Sequence, residues 1–269
     1  MTAPGIYPDM PDADYRATRA VSCSTLKRFA EAPAKAHVGR PDSTAMAIGR
    51  LLHEAVLEAH RFDSLYAVTD LDRRGTKAWQ EEEAAAASAG KQLLKRADYD
   101  MAMRVRDAAQ QHPVARQFLA PGLLTEVSVF WQDADTGLAC RGRMDGIRHD
   151  MRAIVDVKTT GDASAGEFGR SAARFRFHWQ DVFYRAGIAA APGGFRPEVF
   201  VFLAVERDPP HLIAAYEMAR PALEVAAYEV REALREYAEC QASGIWPGYP
   251  EQIITLDLPA WAMGEESIA

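Results

Sequence analysis

Hydrophobic residues recur at two different spacings along the chain, and the change between these spacings divides it into two parts. In the first part, Met46, Leu51, Leu52, Ala55 and Val56 recur at roughly helical spacing. This pattern predicts an amphipathic helix within 43–62. Further helices are predicted over 22–32, 76–89 and 96–112. Ser22 or Ser24 caps the first of these, and a proline follows it.

Beyond residue 120 the pattern changes to alternation of apolar and polar residues, which is typical of strands. Three consecutive strands are predicted over 123–132, 138–149 and 152–160. A helix is predicted over 171–190, a second hairpin over 197–219 and a long amphipathic helix over 221–243. This order favours an α/β (α+β) fold in which helices flank a central mixed sheet, with a helical addition in front.

The same patterns give a domain organisation. Residues 1–20 are rich in proline and aspartate and are expected to be poorly ordered. Residues 21–245 are expected to form one domain, mainly helical over 21–120 and built on the sheet over 121–245. Residues 246–269 are interpreted as a C-terminal tail.

Composition narrows the class of protein. The 269 residues are 48% hydrophobic and 26% charged, which is typical of a soluble globular protein. No apolar run reaches the roughly 18 residues of a membrane span, and no secretory signal is evident, so a cytoplasmic location is expected. Three widely spaced cysteines favour neither a disulfide framework nor an iron–sulfur cluster. The net charge of −7 disfavours a nucleic-acid coat protein but allows a locally basic cleft.

Two acidic residues in neighbouring strands suggest a site. Asp156 and Lys158 share one face of the strand 152–160, because side chains alternate along a strand. If the preceding turn is tight and centred on Asp150-Met151, antiparallel partners have numbers that sum to 301. Asp145 then lies opposite Asp156, although the turn sequence leaves a register one or two residues away open.

Opposed carboxylates repel unless a cation lies between them. Carboxylate oxygens and water suit Mg²⁺ or Mn²⁺, and Glu126 on the first strand could add a third carboxylate. The alternative is an exposed sheet face on which Asp156 simply pairs with Lys158. Two further pairs of residues favour the metal site. Each pair is four positions apart on a predicted helix and therefore lies on one face of it. They are Gly49 with His53 in GRLLH, and Gln180 with Tyr184 in WQDVFY.

Taken in order, GRLLH, Glu126, GRMD, DVKTT and QDVFY resemble the PD-(D/E)XK nuclease superfamily, whose core is restriction-endonuclease-like. The resemblance is closest to the exonuclease VIII nuclease domain of the RecE type, and it extends to RecB-type and lambda-type exonucleases. The segment SCSTLKRFAEAPAKAH is similar to the opening helix of that family. The resemblance covers roughly residues 20–240.

The resemblance implies specific roles. Asp145, Asp156, Lys158 and Glu126 would be catalytic, with Gln180 and Tyr184 bracing the site or holding the scissile strand. The metal, Mg²⁺ with Mn²⁺ as a substitute, would bind the ligands His53, Asp145, Asp156, the Val157 carbonyl and Glu126. Candidate phosphate contacts on DNA are Arg141, Arg143, Arg170, Arg174 and Arg176.

The function that the resemblance implies is a metal-dependent exonuclease on linear duplex DNA. It would digest one strand, usually 5′ to 3′, and leave single-stranded tails for phage-type recombination. A single-strand annealing recombinase would be its partner, and a homo-oligomeric ring its assembly. The alternatives are another nuclease of the superfamily, either an endonuclease or an accessory nuclease of adaptive immunity, and a non-catalytic DNA-binding module of the same fold.

Overall fold

Seven strands form the central sheet of the computed structural model, which describes residues 2–39 and 43–258. The described residues contain nine strands in all: β1 (Gly5–Tyr7), β2 (Val21–Ser22), β3 (Tyr66–Thr69), β4 (Gln92–Lys95), β5 (Leu124–Gln132), β6 (Ala139–Arg148), β7 (Ala153–Thr160), β8 (Val199–Glu206) and β9 (Ile213–Tyr216). The strand order in the central sheet is β1-β5-β6-β7-β8-β9, and β2 pairs with β6. The strands β3 and β4 form a separate parallel pair that the sequence pattern did not predict.

The sheet is mixed, as predicted. β5, β6 and β7 form the expected antiparallel meander, whereas β7 and β8 run parallel along their whole length. The helix-containing segment between β7 and β8 makes this parallel connection possible. β8 and β9 then form the predicted hairpin.

The described residues form ten α-helices and one short 3-10 helix, Pro33–Lys35. The α-helices are α1 (Asp12–Ala17), α2 (Cys23–Phe29), α3 (Thr44–Leu57), α4 (Phe62–Leu65), α5 (Lys77–Ser88), α6 (Arg96–Gln111), α7 (Ala115–Phe118), α8 (Ala165–Arg174), α9 (Phe177–Ala190) and α10 (Arg220–Ser243). Ser22 caps α2 by accepting a hydrogen bond from the Thr25 amide, and Ser43 caps α3 in the same way. No helix in these ranges is both long and apolar enough to cross a membrane.

The two faces of β7 are buried in different hydrophobic clusters. Ala153, Val155 and Val157 face the cluster that contains residues of α3 and α6. Ile154 faces the cluster built with α2, α9 and α10. This alternation is the one predicted, and it places Asp156 in the middle of a strand that is covered on both sides.

The predicted helix over 171–190 is instead two helices. α8 ends at Arg174, and Arg176 has a left-handed backbone with φ 51° just before α9 begins. The Arg176 guanidinium donates to the Lys27 carbonyl at 3.2 Å and lies 4.8 Å from the Trp179 ring centroid. The apolar pattern continues through this break, so the sequence does not signal it.

The start of the chain corrects an expectation. Residues within 1–20 were predicted to be poorly ordered, yet β1 pairs with β5 and α1 follows it. Arg141 holds this segment from β6 by donating to the carbonyls of Tyr15, Arg16 and Thr18, the last at 2.6 Å. The segment therefore belongs to the folded domain.

The segment that follows α10 also packs against the domain. Trp246, placed in the predicted tail, packs edge-on against Phe29 and His37. The Ala34 amide donates to the Pro247 carbonyl at 3.0 Å. Residues 259–269 of the predicted tail lie outside the described residues.

Candidate active site

The two predicted acidic positions lie where β6 and β7 separate. The pairs Gly146↔Val155, Ile147↔Ile154 and Arg148↔Ala153 all have numbers that sum to 301, which confirms the predicted register. The ladder ends one pair before Asp145 and Asp156. At that point Asp145 Oδ2 accepts a hydrogen bond from the Val157 amide at 2.8 Å. The Asp145 side chain thus accepts a hydrogen bond from the backbone of β7 next to Asp156.

Asp156 is almost completely buried, with 1% of its surface exposed. One carboxylate oxygen accepts a hydrogen bond from Gln180 Nε2 on α9, and the other contacts Lys158 Nζ. Burial raises the pKa of Asp156 to about 6, the Asp145 charge adds to this rise, and Lys158 opposes it. A carboxylate in this environment is costly without nearby positive charge.

Lys158 supplies part of that charge. Burial by itself would lower the pKa of Lys158, but Asp156 and Asp145 outweigh this effect and raise it above its usual value. The ammonium group also lies 5.0 Å from the centroid of the Phe177 ring, where a cation is attracted to the ring face. Lys158 is therefore protonated at neutral pH.

His53 on α3 reaches the cluster from the opposite side. Its Nε2 lies 2.8 Å from Asp145 Oδ2, and its Nδ1 lies 3.5 Å from Glu126 Oε1. Burial would lower the pKa of His53, but Asp145 and Glu126 outweigh it and raise the pKa to about 9. His53 is therefore a cation that bridges two carboxylates.

Glu126 has an unusual backbone for a strand residue. Its φ is 52°, and it interrupts the β5–β6 ladder between Thr125↔Gly146 and Val127↔Met144. Its carboxylate also accepts from Arg143 Nε at 2.8 Å. A left-handed non-glycine residue carries a cost of about 1–3 kcal/mol and is concentrated at functional sites.

Tyr184 forms part of the wall of this site. A methyl group added at Gly142 would lie 3.0 Å from Tyr184 Cε1, so the glycine provides the space that the ring occupies. Burial raises the pKa of Tyr184 well above its usual value, and the nearby acidic residues contribute. The tyrosine is therefore a neutral hydroxyl group. Its ring lines a cavity of about 1360 Å³ together with His53, Glu126 and Lys158.

The predicted arginines have different surroundings. Arg143 lines the cavity, where it contacts Glu126 and donates to Ser128 Oγ at 3.2 Å. Arg141 also lines the cavity, and its Nη1 donates to the backbone carbonyls described above. Arg170 is 73% exposed, pairs with Glu167 and lies outside the lining of this cavity. Arg174 and Arg176 line a neighbouring groove.

Two residues near the site were not predicted as site residues. Tyr15 lines the cavity, and the Arg141 and Arg143 guanidinium groups lie 4.7 and 5.6 Å from its ring centroid. It was missed because its segment was expected to be poorly ordered. Lys27 on α2 lies 5.7 Å from the centroid of the Phe177 ring that Lys158 also contacts. Only its basic sequence context could have suggested it.

The donor chemistry of the site fits a hard divalent cation. The buried carboxylate of Asp156 and the half-buried carboxylate of Asp145, with a third carboxylate, a carbonyl and an imidazole close by, match the ligand preferences of Mg²⁺ or Mn²⁺. In the described part of the chain, however, no three His, Cys, Asp or Glu side chains are arranged to hold a metal ion. Ion pairs instead engage Asp145 with His53 and Asp156 with Lys158. Metal binding would require His53 to release its proton.

Comparison with known proteins identifies the family and the fold of the chain. A family model described as "PDDEXK-like domain of unknown function (DUF3799)" matches residues 22–259. No curated protein sequence matches the chain. A crystal structure named "Putative exonuclease", from Eubacterium rectale, aligns with a TM-score of 0.62 and 12% sequence identity. The alignment covers 96% of this chain and 99% of that chain, so the two share a fold.

Proposed function

The chain belongs to the family of PDDEXK-like domains whose model it matches over most of its length, and from this premise we propose that it is a metal-dependent DNA nuclease. The observation that carries the proposal is the cluster of Asp145, Asp156 and Lys158 at the point where β6 and β7 separate. Buried, mutually perturbed ionisable groups beside a cavity are typical of catalytic sites.

Each residue has a distinct task in this proposal. Asp145, Asp156, the Val157 carbonyl, His53 and Glu126 would hold a divalent cation, which supplies an acidified water and stabilises charge on the phosphate. Lys158 places a fixed positive charge where negative charge develops during hydrolysis. Gln180 orients Asp156 through its hydrogen bond, and Tyr184 shapes the wall against which the scissile strand lies.

We further propose that the substrate is linear duplex DNA and that hydrolysis proceeds from an end. The name of the Eubacterium rectale protein supports an exonuclease. The resemblance in sequence motifs adds 5′-to-3′ polarity, a single-strand annealing partner in phage-type recombination and a ring-shaped homo-oligomer. The cavity is lined by Arg143 and by other basic residues that can contact phosphate without reading sequence.

The direct test is incubation of purified protein with linear duplex DNA in Mg²⁺, in Mn²⁺ and in EDTA. We expect nucleotide release in the metals and none in EDTA. Substrates blocked at the 5′ or the 3′ ends would show the polarity. Cleavage of circular DNA would instead identify an endonuclease.

Two substitutions test the site itself. Asp156→Ala and Lys158→Ala should each abolish hydrolysis, because each removes a group that no neighbour replaces. Asp135→Ala and Lys77→Ala are matched controls at exposed positions away from the cavity. Circular dichroism would verify folding. Full activity in either site variant would refute the proposal, and failure to bind Mg²⁺ or Mn²⁺ in calorimetry would favour a non-catalytic DNA-binding module.

A further inference from the structure

A second groove adjoins the candidate active site. It has a volume of about 1820 Å³ and is lined by residues of α2, the α8–α9 junction and the end of α10. Arg16, Ser22, Ser24 and Arg141 line both this groove and the active-site cavity, so the two are continuous. A volume above the roughly 300–1,000 Å³ of small-molecule sites suits a segment of a polymer.

The groove has an excess of positive charge. Arg19, Lys27, Arg28, Arg174 and Arg176 line it, and Glu31 is the carboxylate among its described lining residues. Within residues 2–39 and 43–258, none of these five cations has a carboxylate at ion-pair distance, whereas Arg220 and Arg235 on the surface of α10 are paired with glutamates. Unpaired cations lining one groove form a track for an anionic chain.

Aromatic side chains accompany these cations. Phe175 is 48% exposed and lies in the lining between Arg174 and Arg176. Trp246 and His37 also line the groove, with ring centroids 4.6 Å apart. A basic groove with exposed aromatic rings is the surface that proteins use to bind single-stranded nucleic acid, because any base can stack on a ring.

The position of Lys27 favours a single strand over a duplex. Lys27 is a half-buried residue of the groove lining, and its Nζ lies 5.7 Å from the Phe177 ring centroid. The Nζ of Lys158, in the candidate active site, lies 5.0 Å from the same centroid. A flexible single strand can bring a phosphate down to such a group, whereas the stiff, wide duplex keeps its phosphates on the outside.

We propose that this groove binds a single-stranded segment of the polynucleotide whose scissile phosphate lies in the active-site cavity. The proposal rests on the proposed nuclease function. The exposed cations Arg19 and Arg174 contact phosphates, and the Phe175 ring stacks on a base. The groove thus holds the strand on one side of the point of hydrolysis.

The test measures binding rather than hydrolysis, so its failure differs from a failure of the nuclease assignment. Fluorescence anisotropy follows a labelled oligothymidylate in EDTA over about 50–200 mM salt. The double variant Arg19→Gln/Arg174→Gln should bind about tenfold more weakly. The slope of its log affinity against log salt should be shallower by about 1.4, at about 0.7 per phosphate contact.

A matched variant controls for net charge. Arg220→Gln/Arg235→Gln removes the same charge from exposed positions on α10 outside both cavities, and it should bind as the wild type does. Phe175→Ala should weaken binding but leave the salt slope unchanged, because a stacked ring releases no counterions. Equal losses in the groove variant and the charge control would overturn the proposal. So would a loss confined to blunt duplex DNA, or wild-type affinity in both groove variants.

Discussion

Gln180 should control the pH range in which the site works, because it donates to the buried carboxylate of Asp156. Gln180→Leu keeps the volume of the side chain and removes that donor. A hydrogen bond to a charged group contributes about 1.5–3 kcal/mol, and about 1.4 kcal/mol corresponds to one pH unit. The pKa of Asp156 should therefore rise by roughly one to two pH units in the variant.

The effect on activity follows from the fraction of ionised Asp156. The pKa of Asp156 lies at about 6 in the wild type, so about nine-tenths of the carboxylate is ionised at pH 7. After the substitution this fraction falls to between about one-half and one-tenth. We expect a two- to tenfold loss of activity at pH 7, with recovery as the pH rises towards about 9.

The assay is the rate of nucleotide release from linear duplex DNA as a function of pH, at a Mg²⁺ concentration well below saturation, where protonation of Asp156 competes with metal binding. The acidic limb of the profile should move to higher pH in Gln180→Leu and stay in place in Gln80→Leu, an exposed position on α5. A loss that is the same at every pH would show that Gln180 contacts the substrate rather than acting through Asp156. That result would refute the reasoning.

Three further substitutions test other parts of the structure. Gly142→Ala should displace the Tyr184 ring by a few tenths of an ångström and lower kcat about tenfold with a small change in melting temperature, as kinetics and thermal melts would show. Gly187→Ala should destabilise the fold by about 1–3 kcal/mol in urea titrations, because its methyl group would lie 2.6 Å from the buried Trp131 ring. Burial raises the pKa of Asp181 to about 6 from 3.8, so its protonation stabilises the folded state fully below about pH 4, and this contribution is lost as pH rises through 6. The unfolding free energy of Asp181→Asn minus that of the wild type should therefore rise by up to about 3 kcal/mol across that range, and a flat difference would contradict this.

Much of the sheet could be predicted from sequence because its signals are local. The alternation of Ala153, Val155 and Val157 with Ile154 and Asp156 sets the two faces of β7, and each face is buried as expected. The short turn after Arg148 allows few registers, so the arithmetic that places Asp145 near Asp156 succeeded. Helical spacing and the family resemblance together suggested that Gln180 braces the site or holds the scissile strand, whereas its contact with Asp156 is visible only in the structure.

The structural features that could not be predicted from the sequence depend on contacts between distant segments of the chain. The left-handed Glu126 lies at a break in the β5–β6 ladder, and no local signal in the sequence marks it. The break at Arg176 is stabilised by the Lys27 carbonyl on another helix. Arg141 was predicted to contact phosphate because its charge is visible in the sequence, whereas its acceptors, the carbonyls near Tyr15, are not.

The attachment of the first residues to β5 and β6 has a consequence for synthesis of the chain. Arg141 and the Tyr15 carbonyl it binds are separated by 126 positions, and β1 has no pairing partner until β5 has left the ribosome. Contacts at such sequence separation form late, since the loop must close before they contribute. The wall of the cavity near Tyr15 therefore forms only after the helical first part, β5 and β6 have all been synthesised. A nascent chain that stalls before β6 has no assembled site.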